Sequence, residues 1–225
     1  MFKVISFDLD GTLMRSEFGD SVWLDGLPKI YARHKKITVQ EAKESLHDAY
    51  DQLGKQQREW YDLNYWIHKH QLPITSHELL DQYRSVIQPF DDVKPVLNKL
   101  SSSFTLIISS SAMREFINIE LETSSLQGYF SNIFSSTSDT KMVKKDPFFY
   151  RMICEKLGIS PNEMIHIGDD EASDVDAPKS IGITSFYLDR SGSSQLDWTV
   201  HSLKAFAQRV AELTNPQDKP TQPEN

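Results

Sequence analysis

The sequence has one cysteine, Cys154, no long apolar run, and no basic cluster beyond the pairs Lys35-Lys36 and Lys144-Lys145. A single cysteine excludes an intrachain disulfide. Cys154 reads as a small apolar residue on a helix face, with nothing nearby to activate a thiol. No stretch has the apolar length to cross a bilayer. Lys3, Asp8 and Asp10 interrupt the first ten residues, where a secretory leader needs an apolar core. These absences predict a cytoplasmic protein. Positive charge is also short, with 24 Lys and Arg against 32 Asp and Glu, a net charge of −8. Such a balance argues against a nucleic-acid surface or an anionic membrane as partner. Any anion has to be held locally.

What is present suits a packed core. The 225 residues are 39% hydrophobic and 11% aromatic, enough for one large domain or a core with a modest insertion. Phe2–Phe7 is a short apolar run rich in β-branched and aromatic residues, and it reads as a buried strand. From Met14 to Pro89 no clear strand run occurs. Thr38-Val39-Gln40-Glu41 is a capping box opening a helix that closes near Gly54, and Thr75-Ser76-His77-Glu78 repeats the device. From Phe90 the pattern alternates. Helix Asp92–Leu100 precedes strand Phe104–Ile108, then come a helix through Ile117 and Leu121 and a short strand at Ile133–Phe134. Helix Pro147–Leu157, strand Met164–Ile167, a short helix near Asp174–Ser180 and strand Thr184–Leu188 follow. Alternation of this kind predicts an α/β fold, a doubly wound parallel sheet with helices on both faces. The expected division is an α/β core of residues 1–13 and 90–212, an all-helical insert of 14–89, and a polar, proline-rich, disordered tail of 213–225.

Chemistry concentrates at strand ends. Asp8-Leu9-Asp10-Gly11-Thr12 follows the first strand directly. Open α/β sheets place their ligand sites at such carboxyl ends, and two acids there call for a cation. A calcium loop would need glycine at its sixth position and glutamate at its twelfth, where this chain has Leu13 and Gly19. An ordinary turn remains open for the five residues alone. Strand Phe104–Ile108 runs into Ser109-Ser110-Ser111, whose hydroxyls and N–H groups suit either caps or an anionic oxygen. Lys144-Lys145-Asp146-Pro147 precedes a helix, with Asp146 as its cap and Pro147 at its first position. Strand Met164–Ile167 ends in Gly168-Asp169-Asp170, with Asp174 four residues on. Three aspartates in six residues favour a hard cation, Mg²⁺ above others.

Together these pieces resemble the haloacid dehalogenase superfamily in its phosphatase branch. The match runs through Asp8-x-Asp10-Gly11-Thr12-Leu13, the serine cluster, Lys144-x-Asp146-Pro147 and Gly168-Asp169-x4-Asp174, from about residue 2 to 190. The resemblance implies a helical cap inserted after the first motif, and it implies roles. Asp8 would be the nucleophile that forms an aspartyl-phosphate, and Asp10 the general acid and then base. Mg²⁺ would be held by Asp8, the Asp10 carbonyl and Asp169, with Asp174 ordering its water. Ser110 and Lys144 would clamp the phosphoryl oxygens, with Leu9 and Ser111 in the phosphate-binding set. Ser109 stays open as an alternative to Ser110. Ser111 stands where the family often has Asn, Lys145 where proline is common, and Ala177-Pro178 where Gly-Ala is common.

Asp10 bears on the reaction. Halide leaves without a proton, whereas an alkoxide leaving from phosphorus requires one, so the resemblance implies a phosphatase acting on a small phosphorylated metabolite. A phosphomutase on the same core and a non-catalytic phosphate-binding protein are the alternatives. The insert's aromatics, Trp23, Tyr31, Trp60, Tyr61, Tyr65 and Trp66, read as packing or as a wall against the leaving group. Arg15, Glu17 and Arg58 could face a cleft. His166 reads as a core histidine with its hydrogen bonds satisfied.

Overall fold

The computed structural model describes residues 1–214. Its centre is a parallel sheet built from β1 (Val4–Phe7), β2 (Thr105–Ser110), β3 (Asn132–Ser135), β4 (Met164–Gly168), β5 (Thr184–Leu188) and β6 (Thr199–Val200). The spatial order is β3-β2-β1-β4-β5-β6. β1 is fully buried, in register with β2 (Phe7 opposite Ile108) and with β4 (Phe7 opposite Ile167). Strands running outward from β1 in both directions make its carboxyl end the switch point, where open α/β sheets bind ligands. β6 was not foreseen, because two residues, Thr199 and Val200, carry no period. β2 also runs two residues further than expected, carrying Ser109 and Ser110 inside the sheet.

The ten α-helical segments among the described residues are α1 (Glu17–Ser21), α2 (Leu27–Lys35), α3 (Val39–Leu53), α4 (Leu63–His70), α5 (Ser76–Gln82), α6 (Val93–Leu100), α7 (Arg114–Thr123), α8 (Pro147–Leu157), α9 (Ala177–Lys179) and α10 (Leu203–Thr214). α3 and α5 both start at complete capping boxes, Thr38 with Glu41 and Thr75 with Glu78. α8 starts at Pro147 behind an Asp146 cap and ends at Gly158, whose φ of +64° suits glycine. The expected short helix near Asp174–Ser180 is present but begins earlier, as a wide helical turn over Glu171–Asp176 followed by the three residues of α9. Pro178 lies in it and lacks the N–H a longer helix would use. Leu213 and Thr214 close α10, so the expected tail does not begin at 213, and 215–225 lie outside the described residues.

Two apolar clusters carry the sheet. Ile5, Phe7, Ile108, Ile117, Ile165 and Phe206 lead the one against α6, α7 and α10, whereas Val4, Ile107, Phe149, Tyr150, Ile153 and Met164 lead the one against α8. Helices α1–α5 form a third layer around Trp66, Leu46, Leu63 and Leu79. This cap leaves and rejoins the core side by side. Met14 bridges Pro89, Arg15 N donates to Gln88 O at 3.0 Å, and Phe90 N donates to Leu13 O at 3.1 Å. The cap cluster includes Met113, Phe116 and Ile119 from the start of α7 and its flank, so core and cap share apolar surface there.

Candidate active site

The backbone beyond β1 turns sharply. Asp8 N donates to Ile167 O at 2.9 Å, extending the β1–β4 ladder by one residue. Leu9 O then accepts from Leu13 N at 2.8 Å and Met14 N at 2.9 Å. Gly11 occupies this loop at φ +74°, and a Cβ there would collide with the Asp169 carboxylate. Gly168 ends β4 in similar confinement, because a Cβ would strike Asp174. Both glycines leave room for acids brought in from the neighbouring segment. The Leu9 side chain is buried in the core and is not part of the cavity wall.

Asp8, Asp169 and Asp174 bring one carboxylate oxygen each within 4.8 Å of one another. Asp8 and Asp174 are buried, and Asp169 is open to solvent. Three hard oxygen donors around one point, with glycines making room for Asp169 and Asp174, fit a divalent cation such as Mg²⁺. Electrostatics agree. Burial drives the Asp8 carboxyl well above the usual range; Lys145 opposes this, while Asp174 and Asp169 reinforce it. Burial, with Asp174 nearby, lifts Asp169 to about 6. Asp174 is held well below the usual range, because Lys145 and His166 outweigh the effect of burial. A cation would supply the charge this cluster lacks.

One expected residue needs correction. Lys144 is exposed, whereas the Lys145 ammonium is buried, paired with Asp8 Oδ1 and lying 2.5 Å from Asp174 Oδ1. The cause is local. Asp146 caps α8 by accepting from Phe149 N at 2.9 Å, and its own N–H donates to Lys144 O at 3.1 Å. That three-residue turn puts Lys145 at its corner and directs it inward. Burial opposes its charge, yet the carboxylates of Asp174 and Asp8 hold the ammonium above its usual value. Lys144 stays at the cavity rim. Two adjacent lysines carry no sequence signal to choose between them.

The serines separate cleanly. Ser110 and Ser111 line the cavity, and Ser110 Oγ accepts from Ala112 N at 3.0 Å. Ser109 faces away from the cavity rim, 2.7 Å from Ser6 Oγ within the sheet. Asp10 is half-buried at the mouth, and burial lifts its carboxyl to about 6. Its carboxyl meets that of Glu120 from α7, which burial and Asp10 push well above the usual range. Burial of two adjacent carboxyl groups favours the neutral form of Glu120 beside Asp10. Glu120 was missed, although Phe116, Ile117, Glu120 and Leu121 share one helical face and mark it as a buried acid.

The cavity has a volume of about 760 Å³, in the range of small-molecule sites. Its walls include Asp8, Asp10, Ser110, Ser111, Lys145, Asp169 and Asp174, with Tyr61 from the cap. The other cap aromatics mostly pack on one another. Trp66 is buried, and Trp23 stacks on Phe116 at 6.0 Å. Arg58 Nε donates to Thr137 O at 2.9 Å, and Arg15 lies 4.8 Å over the Phe90 ring, away from the residues that line the cavity.

A family model described as haloacid dehalogenase-like hydrolase matches residues 2–182. The chain belongs to the haloacid dehalogenase-like hydrolases. Among relatives of this family, the Escherichia coli GMP/IMP nucleotidase YrfG is 26% identical over 180 residues, covering 80% of this chain and 79% of its own. A Vibrio vulnificus phosphoglycolate phosphatase is 27% identical over 205 residues, covering 83% of each chain. A solved haloacid dehalogenase-like phosphatase from Thermococcus onnurineus superposes with a TM-score of 0.80 at 26% identity, over 93% of this chain and 98% of that one. Among the described residues no helix is long and apolar enough to cross a membrane.

Proposed function

We propose that this hydrolase is a Mg²⁺-dependent phosphatase of small phosphorylated metabolites, working through an aspartyl-phosphate on Asp8. One observation carries the reading: a buried, lysine-paired carboxylate lies two residues before a second acid lifted to about 6. The first is suited to attack, and the second can hold a proton near neutral pH. The helical layer, residues 14–89, serves as the cap.

With one Asp8 oxygen paired to Lys145, the other attacks phosphorus as the phosphorus–leaving-oxygen bond breaks. The leaving oxygen takes the proton from Asp10. Asp10 then removes a proton from water, and the hydroxide attacks the same phosphorus. Phosphate departs and Asp8 is restored. Lys145 and the N–H and hydroxyl groups of Ser110 and Ser111 bind the equatorial oxygens. Asp8 and Asp169, with Asp174 beside them, would hold Mg²⁺, which supplies charge neutralisation for the phosphoryl group.

Tyr61 at the cavity wall and the nucleotidase relative make purine nucleoside monophosphates the first substrates to try, with phosphoglycolate next. A phosphate-release screen with Mg²⁺ tests the proposal. Release is expected from the wild type and abolished in Asp8→Asn. Equal, metal-independent background in both proteins leaves a binding protein instead.

A further inference from the structure

A line of polar groups runs beneath the catalytic cluster through otherwise apolar packing. Ser6 of β1 is paired in register with His166 of β4, and both side chains point to the face covered by α8. Ser6, His166 and Asp174 are wholly buried, as is Tyr150, which descends from α8. His166 Nδ1 lies 2.8 Å from Ser6 Oγ, and Nε2 lies 2.9 Å from Asp174 Oδ1. Tyr150 OH is 3.0 Å from the same Nε2 and 2.8 Å from Ser173 O.

Proton accounting orders these contacts. Ser173 O can only accept, so it takes the single Tyr150 proton. An ionised Asp174 also can only accept, so the 2.9 Å contact requires a hydrogen on Nε2. In the neutral ring Nδ1 is then an acceptor, and the one Ser6 proton is shared between Nδ1 at 2.8 Å and Ser109 Oγ at 2.7 Å. The imidazole is thereby fixed from both sides. Asp174 is fixed in turn by His166, by Asp170 N at 3.1 Å on Oδ2, and by Lys145.

We propose that His166 is a positioning residue: its Nε2–H orients the Asp174 carboxylate toward Lys145 and the cation site. The proposal rests on the metal-dependent reading above. Hydrogen bonds to a ligating carboxylate matter almost as much as the ligand, typically 10–100-fold in affinity or activity. Asp174 keeps the Lys145 ammonium from resting on Asp8 alone, so losing the Nε2 donor disturbs cation and lysine together.

The test is Mn²⁺ binding, followed by calorimetry and electron paramagnetic resonance without substrate. His166→Leu should weaken binding roughly 10–100-fold. His166→Gln, whose amide places an N–H near the Nε2 position, should recover most of that loss. A folded His166→Leu that binds Mn²⁺ as tightly as wild type overturns the proposal. Should the leucine variant not fold, the wild-type ring decides. Long-range ¹H–¹⁵N spectra, assigned by the signal lost in His166→Gln, should show a neutral ring protonated at Nε2. A ring carrying its proton on Nδ1 alone overturns the proposal. Wild-type protein that binds no Mn²⁺ counts against the metal-dependent phosphatase, and the tautomer then decides His166 by itself.

Discussion

In the proposed mechanism Asp10 is the general acid, and Glu120 beside it should tune the pH at which that acid is lost. Burial lifts Asp10 to about 6, while the Lys145 charge and then the Glu120 carboxyl pull in the opposite direction. Glu120 is buried, and burial with Asp10 beside it pushes its carboxyl well above the usual range, which favours a neutral Glu120 facing Asp10. Glu120 Oε2 is buried without a partner, a cost that an uncharged carboxyl bears more easily than an ion. Replacing Glu120 by leucine removes a hydrogen bond to a charged group, about 1.5–3 kcal/mol. One pK unit is about 1.4 kcal/mol. Asp10 should therefore rise by roughly one to two units, toward about 7–8.

The sign follows from the chemistry. Leaving-group expulsion needs protonated Asp10, so kcat/KM for an alkyl phosphate declines as pH rises through the Asp10 value. In wild type the decline should centre near 6. In Glu120→Leu it should move upward by one to two units, while Glu120→Gln, which keeps a neutral donor, should stay close to wild type. Stopped phosphate-release assays between pH 5 and 9 measure the limb directly. A leucine variant with its limb unmoved would refute the idea that Glu120 tunes Asp10.

Other consequences are separable. Lys145→Met should cut kcat by two orders of magnitude or more, as expected for a donor on the phosphoryl group, about 2.7–4 kcal/mol, whereas Lys144→Met should remain within a few-fold; steady-state kinetics of both variants decide which lysine serves. Asp10→Asn should slow alkyl phosphates far more than p-nitrophenyl phosphate, whose leaving group needs little protonation, and equal losses on the two would contradict its acid role. Gly11→Ala introduces a methyl against Asp169 at φ +74°, so it should weaken Mn²⁺ binding seen by calorimetry. Mg²⁺ should raise the melting temperature at pH 7.5 and much less at pH 5, because Asp169, lifted to about 6, is protonated below that value and competes with the cation; equal shifts at the two pH values would count against Asp169 as a ligand.

The sheet was readable in the chain because its strands are short apolar runs between unambiguous caps. Pro147 and Gly158 bracket α8 to the residue, and Thr38 and Thr75 open α3 and α5 where their capping boxes require. Asp8, Asp10, Ser110 and Asp169 were legible for a related reason: each stands at or just beyond a strand end, and parallel order forces those ends together. What sequence could not resolve depends on side-chain direction across elements. The choice of Lys145 over Lys144 turns on a three-residue bend, which neither lysine announces. His166 shows how a core position becomes part of a site. Its alternation in β4 assigns it to the buried face, and that reading is right as far as it goes. Only the pairing with Ser6 and the wide turn over Glu171–Asp176, which folds Asp174 back beneath β4, give the buried ring a partner in the acidic cluster. Burial and function are then one requirement: excluding water around Asp174 is what makes a single well-aimed Nε2–H strong enough to fix it.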